Sequence, residues 1–198
     1  MCIRDRKKEY LPKMVKGEII TAIAMTEPGT GSDLQNIKTK ATVKENNIIL
    51  NGSKTFITNG QNANLVLVVA KTDSTKKAKG ISIVLCEDYR KGFEKGKNLK
   101  KIGMQAQDTS ELFFHDVELP IENILGQSGQ GFGQLMDELP QERLSIAVTA
   151  IAAAESALDW TISYTKERTA FNTKIIDFQN TKFTLAKLKS ELSVARAY

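Results

Sequence analysis

The sequence is poor in the residues that build metal and disulfide sites, with one histidine and two cysteines among 198 residues. A zinc site made of several histidines is therefore excluded, and no cysteine cluster replaces it. The two cysteines, Cys2 and Cys86, are too few for a disulfide framework, which favours a reducing compartment such as the cytoplasm. The single histidine, His115, lies in a strand-like stretch, where we expect a surface side chain rather than a catalytic triad member.

Long hydrophobic runs are lacking as well. No apolar stretch approaches the roughly 20 residues that cross a membrane. The opening residues, Met1 to Arg6, are too short and too charged for a signal peptide. We therefore expect no membrane span and no secretion.

Acidic residues are outnumbered by basic ones, 23 against 28, which gives a formal net charge of +5. A basic balance can indicate a nucleic acid or an anionic ligand. The lysines are scattered, however, and aromatic residues do not alternate with them as a stacking surface for bases requires. We expect solvated loops and no nucleic-acid partner, while an anionic small molecule stays compatible.

The first two thirds of the chain favour strands. Residues 7–18 are typical of a helix end and an exit turn, with Pro12 and Gly17 as breakers. Asn51-Gly52 indicates a hairpin between two strands, and Asn59-Gly60 indicates the next turn. The expected strands are 19–25, 48–50, 55–58, 65–70, 81–86 and 112–119. The two continuous apolar strands, 65–70 and 81–86, should be buried on both faces.

The last third changes to a helical period after a glycine-rich stretch at 126–133, which predicts a flexible link. Pro140 either kinks the first helix or begins a new one. The apolar faces of the two expected helices are Leu144, Val148, Ile151, Ala154, Leu158 and Ile162, then Phe178, Thr181, Leu185, Leu188, Leu192 and Ala195. Two such helices cannot bury both of their faces, so we expect further helices from missing sequence or another subunit.

The most informative segment is the loop Thr26-Glu27-Pro28-Gly29-Thr30-Gly31-Ser32-Asp33, which follows an apolar strand. Its two glycines allow backbone angles closed to other residues, so N–H groups can converge on a ligand. Its hydroxyls add donors, and Asp33 can cap the segment that follows. Such a loop suits a flat polar heterocycle or a phosphate, although by itself it would be an ordinary surface turn.

Five motifs in one order resemble the acyl-CoA dehydrogenase family. Those resembling its central β-domain are Ala24-Met25-Thr26-Glu27-Pro28-Gly29-Thr30-Gly31-Ser32-Asp33, Leu50-Asn51-Gly52-Ser53-Lys54 and Phe56-Ile57-Thr58-Asn59-Gly60. Those resembling its C-terminal helical domain are Glu142-Arg143-Leu144 and Glu167-Arg168-Thr169-Ala170-Phe171, the latter followed by Phe178-Gln179. The segments 105–109 and 139–144 are most similar to the long-chain branch.

The resemblance implies an α+β fold, with a central antiparallel β-domain followed by part of a C-terminal four-helix bundle. The expected domains are 1–18, the end of an N-terminal helical domain that is mostly missing, 19–125, the β-domain, and 126–198, the first half of the C-terminal helical domain. We therefore expect a fragment of a longer protein.

The resemblance also implies FAD and the residues that bind it. Met25 and Thr26 would meet the pyrimidine edge of the flavin, and Ser32 would contact the acyl-CoA beside the cofactor. Phe56 and Ile57 would lie against the flavin, and Thr58 would bond to the ring nitrogen that accepts hydride. Without these neighbours, Phe56 would be interpreted as a core aromatic and Thr58 as an ordinary strand residue.

Three residues of the helical region, Arg168, Phe171 and Gln179, would serve the FAD of a neighbouring subunit. Arginine suits a pyrophosphate because it is always charged and binds bidentately. Asn172 stands where the family usually has glycine, but asparagine tolerates a left-handed backbone, so the turn can survive. The resemblance implies a homotetramer, because a monomer could not build a complete FAD site if Arg168 serves a neighbouring subunit.

The implied reaction is α,β-dehydrogenation of an acyl-CoA thioester, in which a base takes the α-proton and hydride goes to the flavin. Glu142 matches the base of the isovaleryl and long-chain branches, and Arg143 would bind substrate beside it. Many other members carry the base later in the chain, beyond residue 198. A solvated glutamate paired with an arginine is the alternative interpretation of Glu142, Glu138 is a weaker rival, and Asp137 has no motif support.

The resemblance implies an electron-transfer flavoprotein as electron acceptor, and bacterial cytoplasm or mitochondrial matrix as location. Two other classes stay open: an acyl-CoA oxidase or other flavin oxidase on the same fold, and a DNA-binding or non-catalytic relative.

Overall fold

The structure is a computed structural model that describes residues 3–198, with side chains from residue 5 onward. The chain divides into two compact units, Met1–Met136 and Asp137–Tyr198.

The first unit is a helix followed by a seven-stranded sheet. Helix α1 spans Ile3–Val15. The strands are β1 (Thr21–Ala24), β2 (Lys40–Lys44), β3 (Asn47–Thr58), β4 (Leu65–Lys71), β5 (Ile81–Glu87), β6 (Phe93–Asn98) and β7 (Thr109–Pro120). Helix α2 spans Gly131–Glu167 and continues into the second unit, where β8 (Thr169–Ala170), β9 (Thr173–Lys174) and α3 (Gln179–Ala197) follow.

The sheet order is β1-β4-β2-β3-β7-β6, and β5 pairs with β4. Most pairs are antiparallel, as expected, but β1 and β2 both join β4 in parallel, so the sheet is mixed. Strands β4 and β5 are buried along nearly their whole length, which confirms the expectation from their continuous apolar sequence. The core lies on the inner face of this sheet, around Val66, Val68 and Leu112.

The predicted hairpin at Asn51-Gly52 is wrong. Strand β3 runs through both residues, and the turn that reverses the chain lies between Lys44 and Asn47, where β2 ends and β3 begins. Gly52 instead sits at a register shift of the β3–β7 pair, with φ +147°. A Cβ at Gly52 would come within 2.5 Å of the Thr39 hydroxyl oxygen, so close packing requires this glycine.

Helix α1 ends at Val15, within the range 7–18 in which a helix end is expected, and Pro12 lies inside the helix rather than ending it. The helix gives way to a turn at Gly17, which adopts φ +71°. Tyr10 donates a 3.0 Å hydrogen bond to Glu87 at the end of β5, and Arg6 donates to the Asn123 side chain. These bonds fix α1 against the sheet.

The glycine-rich stretch before α2 is tightly packed rather than a flexible link. The Gly129 N–H donates to the Ser82 hydroxyl at 2.8 Å. A Cβ at Gly131 would lie 2.6 Å from the Ser82 backbone carbon. Small residues are needed here because the chain passes close to β5.

The second unit packs helix against helix, with Leu158 of α2 and Leu185 of α3 both buried. Arg196 and Glu155 form an ion pair of 3.1 Å between the two helices. Other residues of the predicted apolar face of α2 are exposed to solvent: Leu144 is 64% exposed and Val148 is 57% exposed. Among residues 3–198, no helix is both long enough and apolar enough to cross a membrane.

Candidate functional site

The loop after β1 closes on itself in a tight turn. The Glu27 and Thr30 backbones exchange hydrogen bonds of 2.9 and 3.0 Å, and the Thr30 hydroxyl donates to the Asn36 carbonyl. Neither Gly29 nor Gly31 adopts a positive φ, and a Cβ at either would meet open space. The expectation that these glycines supply unusual backbone angles is therefore wrong; they leave the surface of the loop bare instead.

Asp33 stands before a short 3-10 turn, Leu34–Asn36, but its side chain makes no capping bond to the backbone. Its carboxylate accepts a hydrogen bond from the Asn36 side chain instead. The predicted capping role is thus wrong, because a turn of three residues exposes few amides to cap. Ser32, beside it, is exposed.

The end of β3 lies directly against this loop. The Thr55 N–H donates a 2.9 Å hydrogen bond to the Thr26 carbonyl. Between Lys54 and Ile57 the pairing with β7 shifts by one residue, and Phe56 adopts φ +58° and is 68% exposed. A bulky residue in the left-handed region is a strained backbone, of a kind that clusters at functional sites.

At this bulge, neighbouring side chains at the end of β3 differ in burial. Ile57 is buried, whereas Phe56 and Thr58 are exposed. Within the part of the chain that the structure describes, the Thr26 N–H and the Thr26 and Thr58 hydroxyls donate to no protein group. The structure therefore brings Met25 and Thr26 beside the strand that carries Phe56 and Thr58, with donors left available for a ligand.

A buried ion pair between β3 and the loop holds the loop in place. The Lys54 side chain is fully buried, and its Nζ donates to Glu27 Oε1 and to the Met25 carbonyl, both at 2.9 Å. The Glu27 carboxylate also accepts the backbone N–H groups of Lys38 and Thr39. One lysine and one glutamate thus join β3, the loop and the segment before β2.

The two partners have shifted pKa values. Burial lowers the pKa of Lys54 to about 8, and the charge and hydrogen bond of Glu27 offset only part of that effect. Burial raises the pKa of Glu27, but hydrogen bonds from Thr39 and Lys38 and the charge of Lys54 outweigh it, so the net shift is downward. At neutral pH the pair is therefore ionised.

Both residues belong to the family-like motifs, but neither is among the predicted site residues. The signal was the strand period: Ile48 and Leu50 face the core, and Lys54 follows in the same phase. A lysine at an inward position requires a partner carboxylate, and Glu27 was available in the loop.

A second group of bonds holds the turn after β3, at the predicted position Asn59-Gly60. Asn59 adopts φ +62°, and the buried Asp108 accepts the Gln61 N–H at 2.7 Å and the Asn62 side chain at 3.1 Å. Lys95 donates to the carbonyls of Gln61 and Ala63 at 3.0 and 2.8 Å. The end of β3 is thus fixed on both sides.

A cleft of about 510 Å³ opens beside the loop, between Pro28–Thr30 and the strands β3 and β7. His115 lines it and is exposed, which confirms the expected surface histidine. The lining does not include Met25, Thr26, Ser32, Phe56 or Thr58. Across the described residues, no cluster of histidine, cysteine, aspartate or glutamate could hold a metal ion.

The other predicted residues lie in the second unit. Glu142 and Arg143 are exposed on α2, and Glu142 forms no ion pair with any residue that the structure describes. Arg168 and Gln179 are also exposed, at the end of α2 and the start of α3. The roles assigned to these residues stay predictions.

The hairpin after α2 carries Phe171 at its tip. Phe171 and Asn172 adopt φ +53° and +58°, and they join β8 to β9 as a two-residue turn. This is the left-handed backbone that we expected Asn172 to tolerate. Phe171 is 93% exposed.

Two family models match the chain in order. Residues 22–117 match the acyl-CoA dehydrogenase middle domain, and residues 129–198 match the acyl-CoA dehydrogenase C-terminal domain. Together they account for most of the sequence.

Individual relatives agree with these matches. The chain is 49% identical over 197 residues to the mitochondrial long-chain specific acyl-CoA dehydrogenase of Rattus norvegicus, covering 98% of this chain and 46% of the relative. It is 41% identical over 195 residues to the isovaleryl-CoA dehydrogenase of Pongo abelii, again covering 98% of this chain and 46% of the relative. A crystal structure of an acyl-CoA dehydrogenase from Geobacillus kaustophilus matches with a TM-score of 0.94 and 48% identity, over 98% of this chain and 51% of that one. The chain thus spans about half the length of these relatives.

Proposed function

The chain belongs to the acyl-CoA dehydrogenase family, and from this premise we propose that its protein desaturates acyl-CoA thioesters with FAD as cofactor. The substrate class is a long-chain acyl-CoA, by similarity to the long-chain relatives. The proposed electron acceptor is an electron-transfer flavoprotein, and the proposed location is bacterial cytoplasm or mitochondrial matrix.

The observation that carries this proposal is the hydrogen bond from Thr55 N–H to the Thr26 carbonyl. It joins the two segments that would bind the flavin and leaves the Thr26 and Thr58 donors free. When bound, FAD supplies the ring that accepts a hydride. Hydrogen bonds from Met25-Thr26 to the pyrimidine edge would favour the reduced ring, because that ring gathers negative charge. The exposed Phe56, with its neighbour Ile57, would cover the ring on one side.

The proposed base is Glu142. An α-proton beside a thioester is a weak acid, so the base has to be held in place and the developing negative charge has to be stabilised. In this proposal Glu142 takes the α-proton, and Ser32 and Arg143 contact the acyl-CoA.

Arg168, Phe171 and Gln179 are proposed to contact the FAD of a neighbouring copy in a homotetramer. The exposed ring of Phe171 at a hairpin tip and the exposed guanidinium at the end of α2 suit contact with another subunit. Arginine can bind both oxygens of a phosphate at once.

The first test uses the complete protein that contains this chain. We expect it to purify yellow, with a flavin absorption spectrum that bleaches when a long-chain acyl-CoA is added without oxygen. A colourless protein without flavin after gentle purification contradicts the proposal. Rapid return of colour on admitting air, with peroxide formed, assigns an oxidase instead of a dehydrogenase.

The second test is Glu142→Gln in the same protein. We expect this variant to retain FAD and lose at least about a hundredfold in turnover, since a positioned base contributes roughly 10² to 10⁴. Glu138→Gln is the matched control, four residues earlier on the same helix, and should keep near-normal turnover. Near-normal turnover of Glu142→Gln would move the base to another position.

A further inference from the structure

The buried Lys54–Glu27 ion pair beside the loop also makes a hydrogen bond to the loop backbone. Lys54 Nζ reaches the Met25 carbonyl at 2.9 Å as well as Glu27 Oε1 at 2.9 Å. The Met25 carbonyl and the Thr26 N–H belong to one peptide unit. A cation on the carbonyl draws electron density through the planar, conjugated peptide and makes its N–H a stronger donor.

We propose that Lys54 is a positioning residue that polarises the Met25–Thr26 peptide and so strengthens the Thr26 N–H as a donor to the flavin. This inference rests on the proposed function, because it assumes that the flavin's pyrimidine edge meets this N–H. Glu27 holds the ammonium in place. The pair therefore tunes the reduction potential of the cofactor without touching it.

Burial makes the effect strong. The side chains of Lys54 and Glu27 are 0% and 5% exposed, so water does not screen the charge at the peptide. The Thr39 amide also donates to Glu27 Oε1 and the Lys38 amide donates to Oε2, which fixes the carboxylate and through it the lysine. With its pKa near 8, Lys54 carries its charge at neutral pH.

The free donor lies on the other side of the same peptide. Thr26 accepts a hydrogen bond at its own carbonyl from Thr55, yet across the described chain its N–H donates to no protein group. The peptide is therefore held by Lys54 at one end and by Thr55 at the next carbonyl, with the donor between them left for a ligand.

The chain contains a matched control in Lys95. Its Nζ donates to two backbone carbonyls, of Gln61 and Ala63, and pairs with Asp88 at 3.3 Å. Lys95 thus makes the same kinds of contact as Lys54 in the same unit, but its side chain is 24% exposed and it acts at the turn after β3 rather than at the Met25–Thr26 peptide.

The test measures the flavin reduction potential of the complete protein by spectroelectrochemistry, for wild type, Lys54→Met and Lys95→Met. Replacing a charge-assisted bond should weaken binding of reduced relative to oxidised flavin about tenfold in Lys54→Met, a potential about 30 mV more negative for a two-electron couple. Lys95→Met should shift the potential by less than Lys54→Met, because Lys95 acts on the turn after β3 and makes no contact with the Met25–Thr26 peptide. An unchanged potential in flavin-loaded Lys54→Met overturns the inference.

The double variant Glu27→Gln/Lys54→Met separates tuning from folding, and it serves where Lys54→Met alone does not fold. Removing both buried charges avoids an unpaired carboxylate, so stability should recover. The reduction potential of the double variant should stay as negative as that of Lys54→Met, because no ammonium remains at the peptide. If the double variant recovers the wild-type potential along with its stability, the pair is merely structural and the inference falls. A wild-type protein without flavin, by contrast, refutes the proposed function itself.

Discussion

At the scale of single residues, the site depends on side chains in unfavourable places. Lys54 is fully buried and Phe56 is an exposed aromatic on a left-handed backbone. Each costs stability that the rest of the unit supplies, since a buried charge needs a partner and a left-handed bulky residue is strained. Both sit within one bulge of β3, beside the loop that would bind the flavin.

The pKa of Lys54 predicts how stability depends on pH. Because the folded pKa is about 8 and the ordinary value is 10.5, the unfolded chain binds more protons between these limits. The contribution of Lys54 to stability is therefore fully present above pH 10.5 and is lost as pH falls through 8. We expect the difference in unfolding free energy between wild type and Lys54→Met to change by on the order of 3 kcal/mol across this window.

Urea unfolding of the complete protein at several pH values between 7.5 and 10.5 measures this difference. Groups that do not contact Lys54 titrate equally in both proteins and cancel. A difference that is flat with pH would show that Lys54 keeps its ordinary pKa.

At the scale of elements, the hairpin β8–β9 turns on Phe171 and Asn172, both with positive φ. Two consecutive left-handed residues match the twist of antiparallel strands, which is why this turn favours asparagine and glycine. The turn presents Phe171 at its tip, the residue proposed to meet a neighbouring subunit. Under that proposal the shape of the turn would matter for assembly as well as for stability.

Substitutions at position 172 test this turn. Asn172→Ala should lower the unfolding free energy by about 1 kcal/mol, because alanine bears the full cost of the left-handed region. Asn172→Gly should be at least as stable as wild type. Thermal or urea unfolding of the two variants compares them directly, and equal stability of the alanine variant would mean that the turn changes its conformation.

Elements with a strong periodic pattern were predictable, and those set by long-range contacts were not. The continuous apolar sequence of β4 and β5 predicts both strands, and the Asn-Gly dipeptide at 59–60 predicts the turn there. The hairpin prediction at Asn51-Gly52 was wrong because the same dipeptide occurs in tight turns and in bulges. Only the close approach of Thr39 to Gly52, a long-range contact, distinguishes the two cases. Lys54 was predictable from the strand phase, but its bond to the Met25 carbonyl depends on how the loop folds back.

At the scale of the whole molecule, the second unit exposes large apolar side chains on both of its long helices. On α2, Leu144, Val148 and Trp160 are 64%, 57% and 75% exposed, and on α3, Phe183 and Val194 are 62% and 72% exposed. This surface suits further helices or another subunit. The division into domains 1–18, 19–125 and 126–198 stays a proposal.

We accordingly expect the 198-residue chain produced alone to aggregate, or to bind FAD at least tenfold more weakly than the complete protein. Light scattering and a flavin titration of both proteins make the comparison. A monomeric chain that melts cooperatively and binds FAD as tightly as the complete protein would contradict this expectation.

The conformation of Phe56 has a consequence for engineering. Selection for heat resistance alone should replace it by glycine or asparagine, which accept φ +58° with less strain, since its exposed ring contributes little to the core. A library screened for thermostability and a library screened for turnover should therefore diverge at this position, and an aromatic there would survive only under the second screen.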